Sequence, residues 1–459
     1  MVATIKDRTA VVWTQLAAQP VKMGTLYVTE KEARFSYEET YTALNQRGLG
    51  LIYDPAVFTS TIVFNRNEFF DLHPPLQSLI PPRNEDNFSR SLVLRYLDKI
   101  NVRYDKGFDA DWKIMMFSGH GAIGHLDVFE SDKAAEAWYS TPSKKGLVEL
   151  DEKFGFSLKH FMTWYDAEAE SIIDIIGPTP SVGGAIPKLA LSINKTGWDG
   201  RIGLPRRFGD TDRTDILLKL ENTNQYPGIV ELETLGLQIH KEAGFEVPRF
   251  WPVKVKGLSA LAIERFDRTP DGRPVFTETV HSVLASGAPG DINNHYSATY
   301  DQIGLALSSK RITLVNDRKK AKQHLFERLV MAMLTGNGDL HLQNLSFIDR
   351  NGEVEFSPIY DPVPMRAYSI HDALIPQGMT FGDYGDFAGD HMVGFAEGIE
   401  RFAKGLSLNK KSMLAIIERL LNATQDYDKR IMELKTLPED YKNNLIKVTN
   451  IKRRDFMDI

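Results

Sequence analysis

Residues 336–362 read GNGDLHLQNLSFIDRNGEVEFSPIYDP, with an unusual density of donors and acceptors straight after a Gly-Asn-Gly. Gly336 and Gly338 break the apolar pattern of LFERLVMAMLT before them and release a loop. Asp339 is then a carboxylate at a loop start, able to orient and deprotonate a hydroxyl. Asn344, five residues later, can offer an amide oxygen to a divalent cation. The strand-like EVEFSPIY leads to a second oxygen ligand, Asp361 in IYDP. For any one of these residues a polar turn capped by Asn and Asp is the plainer reading. Their order and spacing carry the sharper one.

Upstream segments extend that order. SVGGAIPKLALSI sets two glycines just before an alternating apolar strand, where backbone N–H groups can approach a phosphate. A Gly-Gly turn opening a hairpin explains it equally well. The phosphate loop G-x-x-x-x-G-K-[ST] is absent, which argues against a P-loop NTPase. Lys219 lies in the apolar ILLKLE, and burying a lysine costs energy unless its charge is paired. Glu233 follows in a helical segment, and a strand lysine paired with a helix glutamate holds nucleotide phosphates in protein kinases. A lysine snorkelling at a strand edge is the competing reading. LAIERFDR ends a strand in Glu264, Arg265 and Phe266, either a simple linker or a hinge whose backbone meets adenine. Gly-rich turn, strand Lys, helix Glu, hinge, Asp-x4-Asn and a later Asp follow one another as in protein kinases.

Bulk properties set the limits. The chain has 459 residues, enough for two or three domains, with 42% hydrophobic and 25% charged residues, a globular composition. The net charge of −6 argues against binding nucleic acid through the whole surface. There is no cysteine, so disulfides, thiolate catalysis and Cys-ligated zinc are excluded. MVATIKDRTAVVW lacks a long apolar signal core, and no apolar run is long enough to span a membrane. A soluble cytoplasmic protein is expected.

Along the chain, TAVVW, KMGTLYV and ARFSY read as strands. Pro74, Pro75, Pro81 and Pro82 argue against a regular helix in HPPLQSLIPPRNEDN. Residues 88–100 read as a helix, and WKIMMFSGHGAIGHLDVF as a glycine-interrupted strand pair. His120 and His125 there have no obvious third partner for a metal and are expected to be structural. The apolar period of SLKHFMTWYDAEAESIIDII predicts an amphipathic helix over 157–176, after a polar boundary near 140–156. DILLKLE and LSALAIERFDR read as strands. VELETLGLQIHKEAGFEVP reads as a helix closed by Gly244, and MLAIIERLLNA as a late helix. Lys452, Arg453 and Arg454 are expected on a solvated helix end.

With these residues in order, the chain resembles the HipA family of bacterial serine/threonine kinases, the toxin half of HipBA toxin–antitoxin modules. GHGAIGHLDVF resembles the family's short glycine-containing strand, SVGGAIPKLAL its Gly-rich loop, and ERFDR its hinge. GNGDLHLQN resembles its catalytic loop and SPIYDP its metal-binding segment. The resemblance implies an α+β, two-lobed kinase-like fold. It would comprise an N-terminal β-rich subdomain over 1–140, a mixed α/β N-lobe over 141–275 and an all-helical C-lobe over 276–459. It implies ATP and Mg²⁺ as cofactors, Asp339 as base, and Asn344 and Asp361 as metal ligands. Gly183, Gly184, Ala185, Ile186, Pro187, Lys188 and Lys219 would hold the nucleotide, with Glu264, Arg265 and Phe266 at adenine. His341, Gln343 and Tyr360 would support that site, Glu233 would pair Lys219, and Ser181 would be the autophosphorylated residue. The implied partners are a HipB-like helix-turn-helix antitoxin, a protein substrate in translation such as an aminoacyl-tRNA synthetase, and operator DNA through the complex. Gln343 stands where relatives often carry Lys or Arg, and Ile186 where they often carry Gln. A catalytically weakened kinase fold, acting as a DNA corepressor with its antitoxin, is therefore the second expectation.

Overall fold

The computed structural model describes the chain except residues 1–6, 18, 59–60, 85–86, 142–145, 150–185, 208, 256 and 372–376. Ser181, Gly183, Gly184, Ala185 and the helix expected over 157–176 lie outside the described residues. Two compact units emerge: residues 1–222 with 249–278, and residues 223–248 with 279–459.

The first unit is built on two antiparallel sheets. The five-stranded sheet runs, edge to edge, Thr61–Asn65, Glu32–Tyr37, Val21–Val28, Arg8–Thr14 and Asp127–Phe129. Alternation does the sorting: in Thr61–Asn65 only Ile62 and Phe64 are buried. Met23, Leu26, Val28 and Phe35 join Trp112 and Met115 in its core. The four-stranded sheet runs Phe250–Val255, Leu258–Glu264, Arg213–Leu220 and Lys188–Asn194. Its near-continuous apolar strands bury Leu189, Leu191, Ile216, Leu218 and Ala260 in a second core.

Three expectations are corrected here. WKIMMFS is the body of a helix, Phe108–Ser118, and only Asp127–Phe129 of that stretch is strand. Asp109 and Asp111 in the first turn suit the positive end of the helix dipole, and a helix buried on most sides shows no 3.6-residue alternation. Pro74 and Pro75 open a short helix, Pro74–Gln77, because the first turn has no intrahelical use for their missing N–H. Lys452 is buried in the C-terminal helix Glu439–Met457, bonded to Asp455 at 2.6 Å and lying over the Phe395 ring. Arg453 donates to the Leu421 carbonyl at 2.6 Å, so only Arg454 of that basic run is exposed.

The second unit is mostly helical. The helix Ile229–Glu242 starts from Gly228 in the left-handed region and is followed by Gly244, also left-handed. Arg318–Thr335 is the central helix, capped by Asp317, with Leu325 through Thr335 largely buried. Lys410–Ala423 and Glu439–Met457 pack against it. The hairpin Ser346–Arg350/Glu353–Phe356 turns on Asn351 and Gly352, both with positive φ. Among the described residues, no helix is long and apolar enough to cross a membrane.

Candidate active site

The central helix delivers the loop that opened the sequence. It stops because Gly336 takes φ 73° and the Asn337 N–H folds back to the Ala332 carbonyl at 2.8 Å. The left-handed backbone favours glycine here, and a Cβ at Gly336 would also push Leu445 Cδ1, 2.5 Å away, aside. The loop is then pinned by backbone contacts. Asp339 N–H donates to Asn337 Oδ1 at 3.1 Å, and Leu342 N–H to the His295 carbonyl at 3.1 Å. Tyr300 Oη donates to the Leu340 carbonyl at 2.6 Å. Tyr360 Oη donates to the Gln343 carbonyl at 2.7 Å and meets Ser346 Oγ at 2.6 Å. Asn344 Nδ2 donates to the Asp339 carbonyl at 2.9 Å.

Asp339 itself is a half-buried carboxylate, 26% exposed at its side chain. Burial raises its pKa above the usual range. The Tyr296 hydroxyl, donating to Oδ1, opposes that rise, and the negative charge of Asp361 adds to it. Asp361 is therefore near enough to be felt as a like charge. Around them stand imidazoles: His341 Nε2 is 3.9 Å from Asp339 Oδ1, and the His295 and His341 rings are 4.3 Å apart. Burial, then the His341 charge, lowers His295 to about 4, so it is neutral at pH 7.

Asp361 adopts φ 55°, in the left-handed region that few non-glycine residues enter. Its neighbour Pro362 is seated on the helix Ile229–Glu242: a Cβ at Gly236 would lie 2.2 Å from the Pro362 carbonyl oxygen. Glu233 is buried in the same helix. Asn344, Tyr360 and Pro362 line one small cavity with Arg328, Asn337 and His240. A carboxylate and a carboxamide are hard oxygen donors, the set that suits Mg²⁺, which keeps waters and takes one or two protein ligands. Among the described residues, no three His, Cys, Asp or Glu gather to enclose a metal in protein ligands. His125 bonds the Gly48 carbonyl at 2.8 Å and His120 stacks on Phe129, both structural as expected.

The first unit holds the other predicted residues. Lys188 and Lys219 are directly opposite in the antiparallel pair Lys188–Asn194/Arg213–Leu220, so their side chains leave one face of the sheet, and both residues are buried. The Pro187 carbonyl accepts from Leu220 N–H at 2.9 Å, and Ile186 is half-buried. At the expected hinge, Glu264 binds Arg249 through both carboxylate oxygens, at 2.7 and 2.8 Å. The Arg265 N–H is taken by the Asp215 carbonyl at 2.9 Å. The Arg265 side chain is buried against Asp267, at 2.8 Å, and the Gly121 and Ala122 carbonyls, at 3.0 and 2.7 Å. Arg268 joins it on the same carbonyls, so the glycine-rich turn after Ser118 is held by two guanidinium groups. Phe266 is half-buried.

Tyr296 and His295 went unread in the sequence. They lie in NNHYSATY, which matches no spacing rule, and the Asx-type bonds that shape that loop are the only local signal.

Comparisons with known proteins bear on the family and the fold. The HipA-like C-terminal domain family model matches residues 180–427. A Haemophilus influenzae protein named "Putative kinase" is 29% identical over 282 residues, covering 55% of this chain and 76% of that one. The Shewanella oneidensis serine/threonine-protein kinase toxin HipA is 24% identical over 277 residues, covering 57% of this chain and 60% of the toxin. The fold is similar to a chain in the Shewanella oneidensis MR-1 complex of HipA, HipB and operator DNA. There the TM-score is 0.63 and the identity 17%, with 96% of this chain and 98% of the other covered. The fold is thus α+β and kinase-like, and the chain belongs to the HipA-like C-terminal domain family.

Proposed function

We propose that this chain is an ATP- and Mg²⁺-dependent serine/threonine protein kinase, the toxin of a toxin–antitoxin module. The observation that carries the reading is the Asp339 loop: a raised-pKa carboxylate, with Asn344 bonded back to it and Asp361 close enough to perturb it. In this reading Asp339 Oδ accepts the proton of a serine or threonine hydroxyl as its oxygen bonds to the γ-phosphorus and ADP leaves. The Asn344 amide oxygen and the Asp361 carboxylate hold Mg²⁺, which when bound neutralises charge on the phosphates. Lys188 and Lys219 take nucleotide phosphates, with Gly183, Gly184, Ala185, Ile186 and Pro187 offering backbone. Glu264 and Phe266 meet adenine through their backbones, Arg265 being committed to Asp267 and the turn at Gly121 and Ala122, and His341, Gln343 and Tyr360 keep the loop in shape.

Ser181 is the proposed autophosphorylation site, where added negative charge would repel ATP phosphates. A HipB-like helix-turn-helix antitoxin is the proposed partner, supported by the fold similarity to a chain solved with HipB and DNA. A component of translation is the proposed substrate, and the cytoplasm the proposed location. The test is labelled ATP with Mg²⁺ and the purified chain, alongside Asp339→Asn. Phosphate on Ser181 in the wild type, absent from the variant while nucleotide still binds, is the expected result; wild-type-like transfer by Asp339→Asn excludes the base assignment.

A further inference from the structure

We infer that Tyr296 is a placeholder for the acceptor: its phenol occupies the position on Asp339 that a substrate hydroxyl must take, and keeps water off the carboxylate until then. The inference rests on Asp339 being the base. A general base works on a proton within hydrogen-bond reach, and here the hydroxyl already in reach of Asp339 Oδ1 is the chain's own, 43 residues away in sequence.

Tyr296 is built to hold that place and to leave it. Its backbone is fixed by a short web of side-chain bonds: Tyr296 N–H to Asn294 Oδ1 at 2.8 Å, Asn294 N–H to Ser297 Oγ at 2.9 Å, and Ser297 Oγ to Asn293 Oδ1 at 2.5 Å. The web is anchored to the catalytic loop, since the His295 carbonyl accepts from Leu342 N–H. The ring is only half-buried, edge-on to His341 at 5.3 Å and against His295 at 4.3 Å. Asn293 and Asn294 are exposed, so the segment faces solvent and no core must open for the phenol to swing away. A phenol also carries the donor that a serine or threonine hydroxyl would carry, so an incoming acceptor replaces it bond for bond and Asp339 is never left unsatisfied. Without the phenol oxygen, water can take its place on Asp339 Oδ1 while the ring stays packed.

The prediction is a split between constants. Tyr296→Phe keeps the ring and removes the donor. ATP hydrolysis without acceptor should rise about tenfold, and KM for a serine peptide should fall by a similar factor, as expected for one lost hydrogen bond to a charged group. The kcat for the peptide should stay within about twofold. The substituted ring retains the packing, so a merely structural residue would leave both constants unmoved. Unchanged hydrolysis and KM overturn the placeholder role, as does a kcat that falls with hydrolysis, which would make Tyr296 a support for the base. Phosphorylation of Tyr296 itself, seen by mass spectrometry after incubation with ATP, also overturns it, making the phenol an acceptor. A wild type and variant that both fail to turn over ATP overturn the kinase reading itself, and this inference with it.

Discussion

Asn344 donates Nδ2 to the main-chain carbonyl of Asp339 at 2.9 Å, so the orientation of its carboxamide is decided by the residue it accompanies. With the nitrogen committed, the amide oxygen is the end left to meet a cation. Asn344→Leu keeps similar bulk and removes both roles. The Mg²⁺ concentration for half-maximal ATP turnover should rise by about tenfold or more, roughly 1.4 kcal/mol. A magnesium titration of turnover measures it, and an unchanged midpoint rules the residue out as a ligand.

Gly236→Ala tests how tightly the Asp361 turn is seated. Helix propensity alone favours alanine by about 1 kcal/mol. Overpacking typically costs about 1–3 kcal/mol, and a Cβ 2.2 Å from the Pro362 oxygen meets backbone that cannot rotate aside. The clash should win. Urea denaturation should show net destabilisation, and Mg²⁺ affinity should weaken because Asp361 moves with Pro362.

Asp267→Ala leaves Arg265 and Arg268 buried without their shared carboxylate. The two guanidinium groups hold the Asp267 carboxyl well below the usual range, although burial pushes the other way. Removing one partner of a buried pair costs about 3–5 kcal/mol. Thermal melting should show a loss on that scale. A loss under about 1 kcal/mol, the level of exposed pairs, would mean that water reaches the network.

Acid should weaken the fold through its buried histidines. Burial holds His73, His120, His125 and His240 at about 4, against 6.5 for a free imidazole. Between those values the unfolded chain binds protons that the folded chain refuses, so stability rises with pH through that window. It is fully present above about 6.5 and lost as pH falls toward 4. Melting temperatures taken from pH 7 to pH 5 should decline steadily, and His125→Asn should flatten the slope.

The strands TAVVW, KMGTLYV, ARFSY and LSALAIE were legible because runs of β-branched, aromatic and other apolar residues are set off by turn-forming ones. So were Gly336 and Gly244, since helix ends need left-handed backbone. The helix Phe108–Ser118 was not, because burial on most sides erases periodicity. Nor was the role of Arg265, whose partners Gly121 and Ala122 lie 144 and 143 residues away. The order of Asp339, Asn344 and Asp361 could be read in one dimension, but the Tyr296 hydroxyl reaches Asp339 only through tertiary structure. The same holds for Lys188 facing Lys219, which depends on strand register.

Glu233 and Gly236 are separated by a single helical turn on one stiff rod. One supplies a buried carboxylate, and the other supplies the flat seat under Pro362. Turning that rod about its long axis moves both by the same angle. A shift of that helix would therefore carry the buried carboxylate and the seat of Pro362 together.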